Sequence, residues 1–168
     1  MSYFGSEKRL LMSISSLYSS VSTQSIGITG VAVTIFNNVT PTQMVSSIGY
    51  PTISVSSGTF TLEAGYKYLI DCRFKVSDSS PSAGEYVSYY MADAGSSQIS
   101  STGITNITTD STAVLSQERC IGYIDATAGA QTFKIMMQKN AGSAVTLNSN
   151  IDSGTTGFLS YILVKAWK

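Results

Sequence analysis

Charge and histidine are both scarce in this chain, and each shortage excludes a class of function. Only 12% of the 168 residues are charged, and 10 Lys and Arg balance 10 Asp and Glu. A neutral chain without basic clusters lacks the electrostatic footprint of a nucleic-acid-binding protein. Histidine is absent, which removes the commonest general acid and base and a leading metal ligand.

Cysteine is almost as rare. Cys72 and Cys120 stand alone without CxxC spacing, whereas a zinc site needs about four ligands. Cys72 falls on the apolar face of a predicted strand, so we expect a small buried core residue; a Cys72–Cys120 disulfide is the alternative. The chain also has no Gly-rich phosphate loop, GxSxG or SxxK motif. We therefore expect no enzymatic activity, no cofactor and no metal.

The ten carboxylates do not cluster in the sequence. Catalysis by paired carboxylates needs two acids in one cleft. The acids that the fold could bring together in space are Asp71, Glu85, Asp93, Glu118 and Asp125. Each of them already fits an outward strand position or a turn. Two loop segments, at Asp78 and at 93–95, offer oxygen ligands for calcium, but calcium loops have denser Asp and Asn spacing.

Hydroxyl side chains take the place of charge, since the chain contains 29 Ser and 18 Thr. A surface of hydroxyls hydrates without long-range fields, which suits the shell of a particle better than a free cytosolic monomer. The first twenty residues carry two basic residues at 8–9 and a short apolar run interrupted by serine. This pattern predicts neither a secretion signal nor a membrane span, so we expect the chain to stay in the cytosol that makes it.

From residue 27 onward the pattern is that of strands. It is clearest over 66–76, where apolar and polar residues alternate for eleven residues. Residues 93–112 carry few signals and are predicted to be a long connection, and a strand over 113–124 is predicted to break near 117–119, as at a bulge. The sequence predicts an all-β fold for 27–168, a jelly-roll sandwich of about 8–10 antiparallel strands. No second domain is indicated.

Residues 1–26 differ from the rest and are predicted to be an anchoring arm. Leu10, Ile14, Leu17 and Val21 are spaced four, three and four apart, as in a short helical seam. Two turns are too short to be stable alone, and serines are indifferent helix formers. We expect a short arm or helix, or an extended segment, that becomes ordered against a neighbouring molecule. The alternative is a segment packed on its own domain.

The strand that ends almost at the C-terminus is apolar on both faces. A strand with one solvated face alternates apolar and polar residues, so this strand is expected to be covered on both sides, with another copy of the chain as the second cover. This second cover would be provided equally well in a dimer and in a larger assembly. The residues predicted to form the oligomer interface are Phe158, Leu159, Tyr161, Leu163, Trp167 and Tyr89.

The run Phe60–Ile70, with the sequence FTLEAGYKYLI, resembles a signature of small phage structural proteins whose jelly roll is similar to the C1q and tumour-necrosis-factor modules. Further similarity lies in the tyrosine-rich run Glu85–Tyr90 followed by Asp93 and Ala94, and in the strands over 133–137 and 159–167. The resemblance implies a glycine in the turn, a tyrosine entering a central strand, and a trimer with the terminal strand near the threefold axis. It covers roughly residues 50–168 and not the arm.

Together these patterns favour a virion structural protein of a phage, most specifically a capsid decoration or cement protein. Its expected partners are copies of itself, as a homo-oligomer and by resemblance a trimer, and the major capsid protein or other virion proteins. The expected location is the virion, assembled in the host cytoplasm. The alternative is a receptor-binding tip or short tail fibre whose loops at 77–85, 93–112 and 148–157 recognise a cell-surface ligand.

Overall fold

Thirteen strands and no helix make up the described part of the chain in a computed structural model. The structure describes residues 11–16, 24–26, 32–35, 40–42, 51–78, 84–100, 102–106, 114–140, 145–148 and 161–168. The strands are β1 (Leu11–Ser16), β2 (Gln24–Ile26), β3 (Val33–Ile35), β4 (Thr40–Thr42), β5 (Ile53–Ser56), β6 (Thr59–Leu62), β7 (Lys67–Asp78), β8 (Tyr86–Ala92), β9 (Gly103–Asn106), β10 (Val114–Asp125), β11 (Gln131–Lys139), β12 (Val145–Asn148) and β13 (Tyr161–Trp167).

The strands form two antiparallel sheets that pack face to face as a sandwich. The first sheet has seven strands in the order β2-β12-β7-β13-β1-β4, with β10 paired to the other edge of β7. The second sheet has six strands in the order β5-β6-β11-β8-β9, with β3 also paired to β11. The predicted all-β, antiparallel architecture is confirmed. The structure has more strands than the expected 8–10 because several three-residue strands are too short to show alternation.

Strand β7 is the centre of the first sheet. Along all twelve residues it pairs with β10, from Lys67 opposite Asp125 to Asp78 opposite Val114. Its other edge pairs first with β13 and then with β12. Alternate residues of β7 point between the sheets, and those described are fully buried: Tyr68, Ile70, Cys72 and Phe74. The alternation in the sequence therefore identified the buried face of this strand.

Aromatic rings fill the space between the two sheets. Phe60 of β6 and Phe133 of β11 stack with their ring centroids 4.7 Å apart. Phe74 of β7 meets Tyr89 of β8 edge to face at 5.1 Å, so a ring from each sheet contributes to one contact. Geometries of this kind contribute roughly 0.5–1.5 kcal/mol beyond the burial of area. Phe60 and Phe133 are neighbours within the second sheet, so the Phe74–Tyr89 contact is the one of these two that joins the sheets.

Two glycine turns precede the central strand, one between β5 and β6 and one directly before β7. Between β5 and β6, Ser57 and Gly58 have φ values of 48° and 76°, the pair of left-handed residues that a tight hairpin needs. At Gly65 the φ is 90°; its N–H donates to the Ala126 carbonyl and the Ala126 N–H donates to the Tyr66 carbonyl, both at 2.9 Å. This is a bulge with glycine in the first position. The glycine lies in the turn and Tyr66 leads into β7, as the resemblance implies.

The bulge predicted near 117–119 does not exist. β10 pairs with β7 residue by residue through Gln117, Glu118 and Arg119, and the polar run that suggested a break belongs to one continuous strand. The connection over 93–112 contains a strand, β9, which pairs with β8 from Gly103 opposite Tyr89 to Asn106 opposite Tyr86. β9 has only four residues and begins with glycine, so its sequence shows no alternation of apolar and polar side chains that would predict a strand.

Part of the N-terminal segment belongs to the first sheet. Residues 11–16 are extended, not helical, and pair with β13 from Leu11 opposite Ala166 to Ser16 opposite Tyr161. β2 pairs with β12 in the same sheet. These pairings correspond to the alternative in which the segment packs on its own domain. The anchoring role of residues 1–26 stays a prediction.

Candidate interaction face

The outer side of the first sheet carries a mixture of apolar and charged side chains. Residues that alternate with the buried ones on β10, β7 and β13 lie on this side. In register, Tyr123 is opposite Leu69 and Leu69 is opposite Lys165; Ile121 is opposite Asp71 and Asp71 is opposite Leu163. We call this surface the outer face and define it by the described residues Lys67, Leu69, Asp71, Arg73, Arg119, Ile121, Tyr123, Asp125, Leu163, Lys165 and Trp167.

Apolar side chains on the outer face remain exposed in the single chain. Ile121 is 48% exposed and Tyr123 is 53% exposed, and Leu69, Leu163 and Trp167 are half-buried. The Tyr123 and Trp167 rings approach to 6.0 Å between centroids. Scattered surface apolar residues are ordinary, but a contiguous group of them marks an interaction site. The group here spans three neighbouring strands.

An ion pair lies beside these apolar residues. Arg119 Nε donates to Asp71 Oδ1 at 2.8 Å and Arg119 Nη2 donates to Asp71 Oδ2 at 2.7 Å. These hydrogen bonds hold the pKa of the Asp71 carboxyl below its ordinary value, against the opposing effect of its partial burial, and the charges of Arg73 and Lys165 act in the same direction. A bidentate pair of this kind has a fixed geometry.

The predicted interface residues fall in different places. Leu163 and Trp167 lie on the outer face, and Tyr161 pairs with Arg73 of β7, although only its backbone is described. Phe158 and Leu159 lie outside the described residues. Tyr89 is only 7% exposed because its ring packs against Phe74 inside the sandwich, which leaves little of the side chain for contact with another copy.

Sequence reasoning missed three members of the outer face, although a signal was present. Ile121 and Tyr123 alternate with the buried Cys120 and Ile124, so β10 is apolar on both faces just as the terminal strand is. Leu69 interrupts an otherwise charged outer side of β7 in the same way. Reading both faces of every strand would have identified all three.

Of the predicted arm residues, Ile14 alone lies in the described part of the chain. Its backbone pairs with Leu163 of β13 and with Thr42 of β4. Leu10, Leu17 and Val21 lie outside the described residues. The position of Ile14 places it in line with the outer-face row that contains Leu163, Asp71 and Ile121.

The loop suggested as a calcium ligand is built around a lysine. Lys134 Nζ donates to the Ala94 carbonyl at 3.1 Å and to Ser96 Oγ at 2.7 Å. Asp93 Oδ1 accepts from the Ser97 N–H at 2.8 Å. An ammonium group thus uses the oxygens that a calcium ion would need. Asp78, the other candidate, is the last residue of β7.

Four of the five acids that were considered for catalysis have separate partners. Asp71 pairs with Arg119, Asp125 lies 3.9 Å from Lys67, and Asp93 closes its own loop. Glu85 Oε2 lies 3.1 Å from Lys139 Nζ, and these side chains are 4% and 0% exposed. For Glu118 only the backbone is described. Among the described residues no three His, Cys, Asp or Glu side chains are arranged to hold a metal ion.

Both cysteines are buried and free. Cys72 of β7 lies opposite Cys120 of β10 in the register of the sheet. Burial raises the pKa of each thiol, because an apolar environment disfavours the thiolate. Cys72 is thus a small core residue, as expected.

Comparison with known proteins does not identify a relative. No family model matches the chain, and no curated protein matches it. In the described ranges there is no helix with the length and hydropathy of a membrane span. Function has therefore to be inferred from the chemistry of the described residues.

Proposed function

We propose that this chain is a non-enzymatic structural subunit that assembles with copies of itself through the outer face. The observation that carries the proposal is the exposure of Ile121 and Tyr123 beside Leu163 and Trp167. Interfaces of assemblies are enriched in aromatic and apolar side chains at their centre, and the outer face has this composition across three strands that pair in register.

Within this class we propose a virion protein, specifically a phage capsid decoration or cement protein. The resemblance over residues 50–168 and the hydroxyl-rich, weakly charged composition support it. In this proposal the sandwich is a jelly roll, in which the chain likewise passes repeatedly from one sheet to the other, as it does here at β6–β7, β7–β8, β9–β10, β10–β11 and β11–β12. By the same resemblance the oligomer is a trimer. Repetition by symmetry makes many weak contacts firm.

Self-assembly is tested by removing apolar surface from the outer face. Replacing Ile121 and Tyr123 by serine (Ile121→Ser with Tyr123→Ser) is expected to weaken the oligomer, as measured by sedimentation velocity over a range of concentrations. Ile104→Ser is the matched control, because Ile104 is 62% exposed on β9 of the other sheet. A wild-type protein that stays monomeric at high micromolar concentration would refute the proposal.

The virion role is tested with particles of the phage that encodes the chain. Saturable binding of the purified protein to capsids lacking it, with a fixed copy number, is the expected result. Deleting residues 1–10 tests the anchor and keeps β1. Because β1 forms six residue pairs with β13, the truncated protein keeps the neighbour of β13 in the sheet. The truncated protein is expected to assemble but to lose capsid binding. Unchanged binding of the truncated protein would refute an anchor in residues 1–10 and would leave residues 11–26, with Ile14, Leu17 and Val21, as the anchoring part of the arm.

The second candidate function is a receptor-binding tip. It is favoured by the loop over 93–97, whose turns are fixed by the hydrogen bonds of Asp93 and Lys134, because binding residues are commonly carried by loops on a rigid scaffold. Specific adsorption of the purified chain to host cells or to glycans on an array, without binding to capsids, would favour this function over the first.

A further inference from the structure

Strand β10 has one edge that pairs with no other described strand. Its twelve residues pair with β7 along one edge, and β7 is its only pairing partner among the strands that the structure describes. The N–H and C=O groups along such an edge are a template on which another chain can add a strand. Edge strands are usually protected by shortness, by proline or by a bulge. β10 has none of these protections, since its pairing with β7 is continuous from Val114 to Asp125.

The other described edges of the two sheets are short. The first sheet ends at β2 and β4, which have three residues each, and β4 contains Pro41. The second sheet ends at β5 and β9, which have four residues each. Among these described edges, the one that matches β10 in length is therefore β10 of a second copy. Antiparallel pairing of two identical strands is isologous, with a twofold axis between them.

Charged and apolar side chains select the register of this pairing. Residues directly opposite in an antiparallel pair lie on the same face of the sheet, so the outward residues of β10 meet each other: Arg119, Ile121, Tyr123 and Asp125. When Gly122 lies opposite Gly122 of the second copy, Arg119 lies opposite Asp125. In the same register Ile121 lies opposite Tyr123, and the twofold axis repeats both pairs. A shift by two residues in either direction removes the carboxylate from its place opposite Arg119.

Both charged groups are already held on the outer side of the strand. Arg119 donates two hydrogen bonds to Asp71, and Asp125 Oδ1 accepts from the Thr127 N–H at 3.0 Å and from its hydroxyl. The Arg119 and Asp125 side chains are 51% and 46% exposed, so an opposite charge on a second copy can approach each of them. Opposite charges, and an aromatic ring beside a β-branched side chain, are cross-strand pairs that stabilise sheets.

We propose that the edge of β10 pairs antiparallel with the same edge of a second copy, with Gly122 on the twofold axis, so that the first sheet continues from one copy into the next. The inference rests on the proposed self-assembly and specifies the contact that Ile121 and Tyr123 make in it. Because β7 lies between β10 and β13, this contact is separate from the terminal strand, which the resemblance places near a threefold axis. Twofold and threefold contacts combine in closed assemblies of dihedral symmetry.

Cysteine cross-linking tests the register. Ile121→Cys protein is mixed with Tyr123→Cys protein and oxidised with glutathione disulfide, and mass spectrometry separates the mixed disulfide from the two self-linked products. The mixed product is expected to exceed either self-linked product about tenfold, because directly opposite positions lie within the Cα distance that a disulfide spans and diagonal ones exceed it. Ile104→Cys mixed with Tyr123→Cys is the matched control, since Ile104 is 62% exposed on β9 of the other sheet.

Sedimentation velocity of the full chain tests the same contact without a cross-link. Ile121→Lys places a charge opposite Tyr123 of the second copy, and lysine is a residue that protects edge strands from pairing. This substitution is expected to raise the dissociation constant of the twofold contact at least about tenfold. Ile104→Lys adds the same charge on β9 and is expected to leave that constant unchanged.

The outcomes separate the edge contact from self-assembly in general. A mixed cross-link that exceeds the self-linked products, together with weakening by Ile121→Lys and not by Ile104→Lys, supports the inference. A wild-type oligomer whose mixed cross-link is no more abundant than the self-linked products would overturn edge pairing and leave self-assembly standing. A wild-type protein that stays monomeric at high micromolar concentration would overturn self-assembly and the inference with it.

Discussion

The buried ion pair between Glu85 and Lys139 allows a quantitative test of the fold. Lys139 is the last residue of β11, Glu85 immediately precedes β8, and the two atoms of the pair are 3.1 Å apart. Both side chains are almost completely removed from solvent, at 0% and 4% exposure. Lys139→Met keeps the volume of the side chain but removes the ammonium, so the Glu85 carboxylate stays buried without it.

Removing one partner of a buried pair costs about 3–5 kcal/mol. For a chain of this size, that loss corresponds to a fall in Tm of roughly 6–20 °C. Glu85→Gln is expected to cost a similar amount, because it leaves the ammonium buried opposite a neutral amide. The combination of Glu85→Leu with Lys139→Met removes both charges, so it is expected to be close to neutral or even stabilising.

Urea denaturation followed by tryptophan fluorescence and circular dichroism measures these differences, at one protein concentration because assembly adds stability. Urea is preferred to guanidinium, which as a salt screens ion pairs. Lys67→Met is the matched control, since its partner Asp125 is exposed and 3.9 Å away; its expected cost is about 0–1 kcal/mol. The reasoning is refuted if Lys139→Met costs no more than Lys67→Met, or if the double substitution is as costly as the sum of both single changes.

Three further predictions concern single residues. In Gly103→Ala the added Cβ would clash with the Tyr89 ring that covers Gly103. The substitution is expected to lower the unfolding free energy by about 1–3 kcal/mol in urea denaturation. A loss that is no smaller in a Tyr89→Leu background would contradict this cause. The pKa of Asp71 is lowered in the folded protein, so the stability that the Asp71 carboxylate contributes is complete at neutral pH and is lost as the pH falls through its pKa in the folded state. The difference in unfolding free energy between wild type and Asp71→Asn should therefore shrink toward low pH. A difference that stays constant with pH would count against the Arg119 pair. Since Cys72 and Cys120 are buried with raised thiol pKa values, neither should react with Ellman's reagent at pH 8 until the protein is unfolded, and two fast thiols in the native state would contradict their burial.

The elements that sequence predicted well are those whose signal is local. β7 alternates because one face packs against the second sheet, and the buried Tyr68, Ile70, Cys72 and Phe74 are the residues that the period-two pattern selected. The turn at Gly65 was also readable, because a left-handed φ favours glycine. Both signals are contained in a few neighbouring residues.

The features that sequence did not reveal depend on contacts between distant parts of the chain. Lys134 lies at an outward position of β11, yet it is buried because the loop over 93–97 folds onto it. Glu85 and Lys139 are separated by more than fifty residues, and each looks like an ordinary surface charge in the sequence. β9 starts with Gly103, whose missing side chain makes room for a ring on the neighbouring strand. In each of these cases the contacting residue is distant in the sequence, so no local pattern predicts the contact.

The two outer sides of the sandwich have different chemistry, and the difference gives the low charge of the chain a physical role. On the second sheet, Ser54, Thr61 and Thr132 lie in one row across β5, β6 and β11, a row that water solvates without strong fields. The exposed apolar side chains of this sheet, Tyr86 and Ile104, lie on β8 and β9. On the first sheet, apolar side chains stand among six charged ones. Under the proposed assembly the first side is buried and the hydroxyl side remains in solvent. Under that assembly, the weak fields of the hydroxyl row give the exposed side little long-range attraction for other surfaces, whereas the charged side chains on the buried side oppose contact with wrong partners.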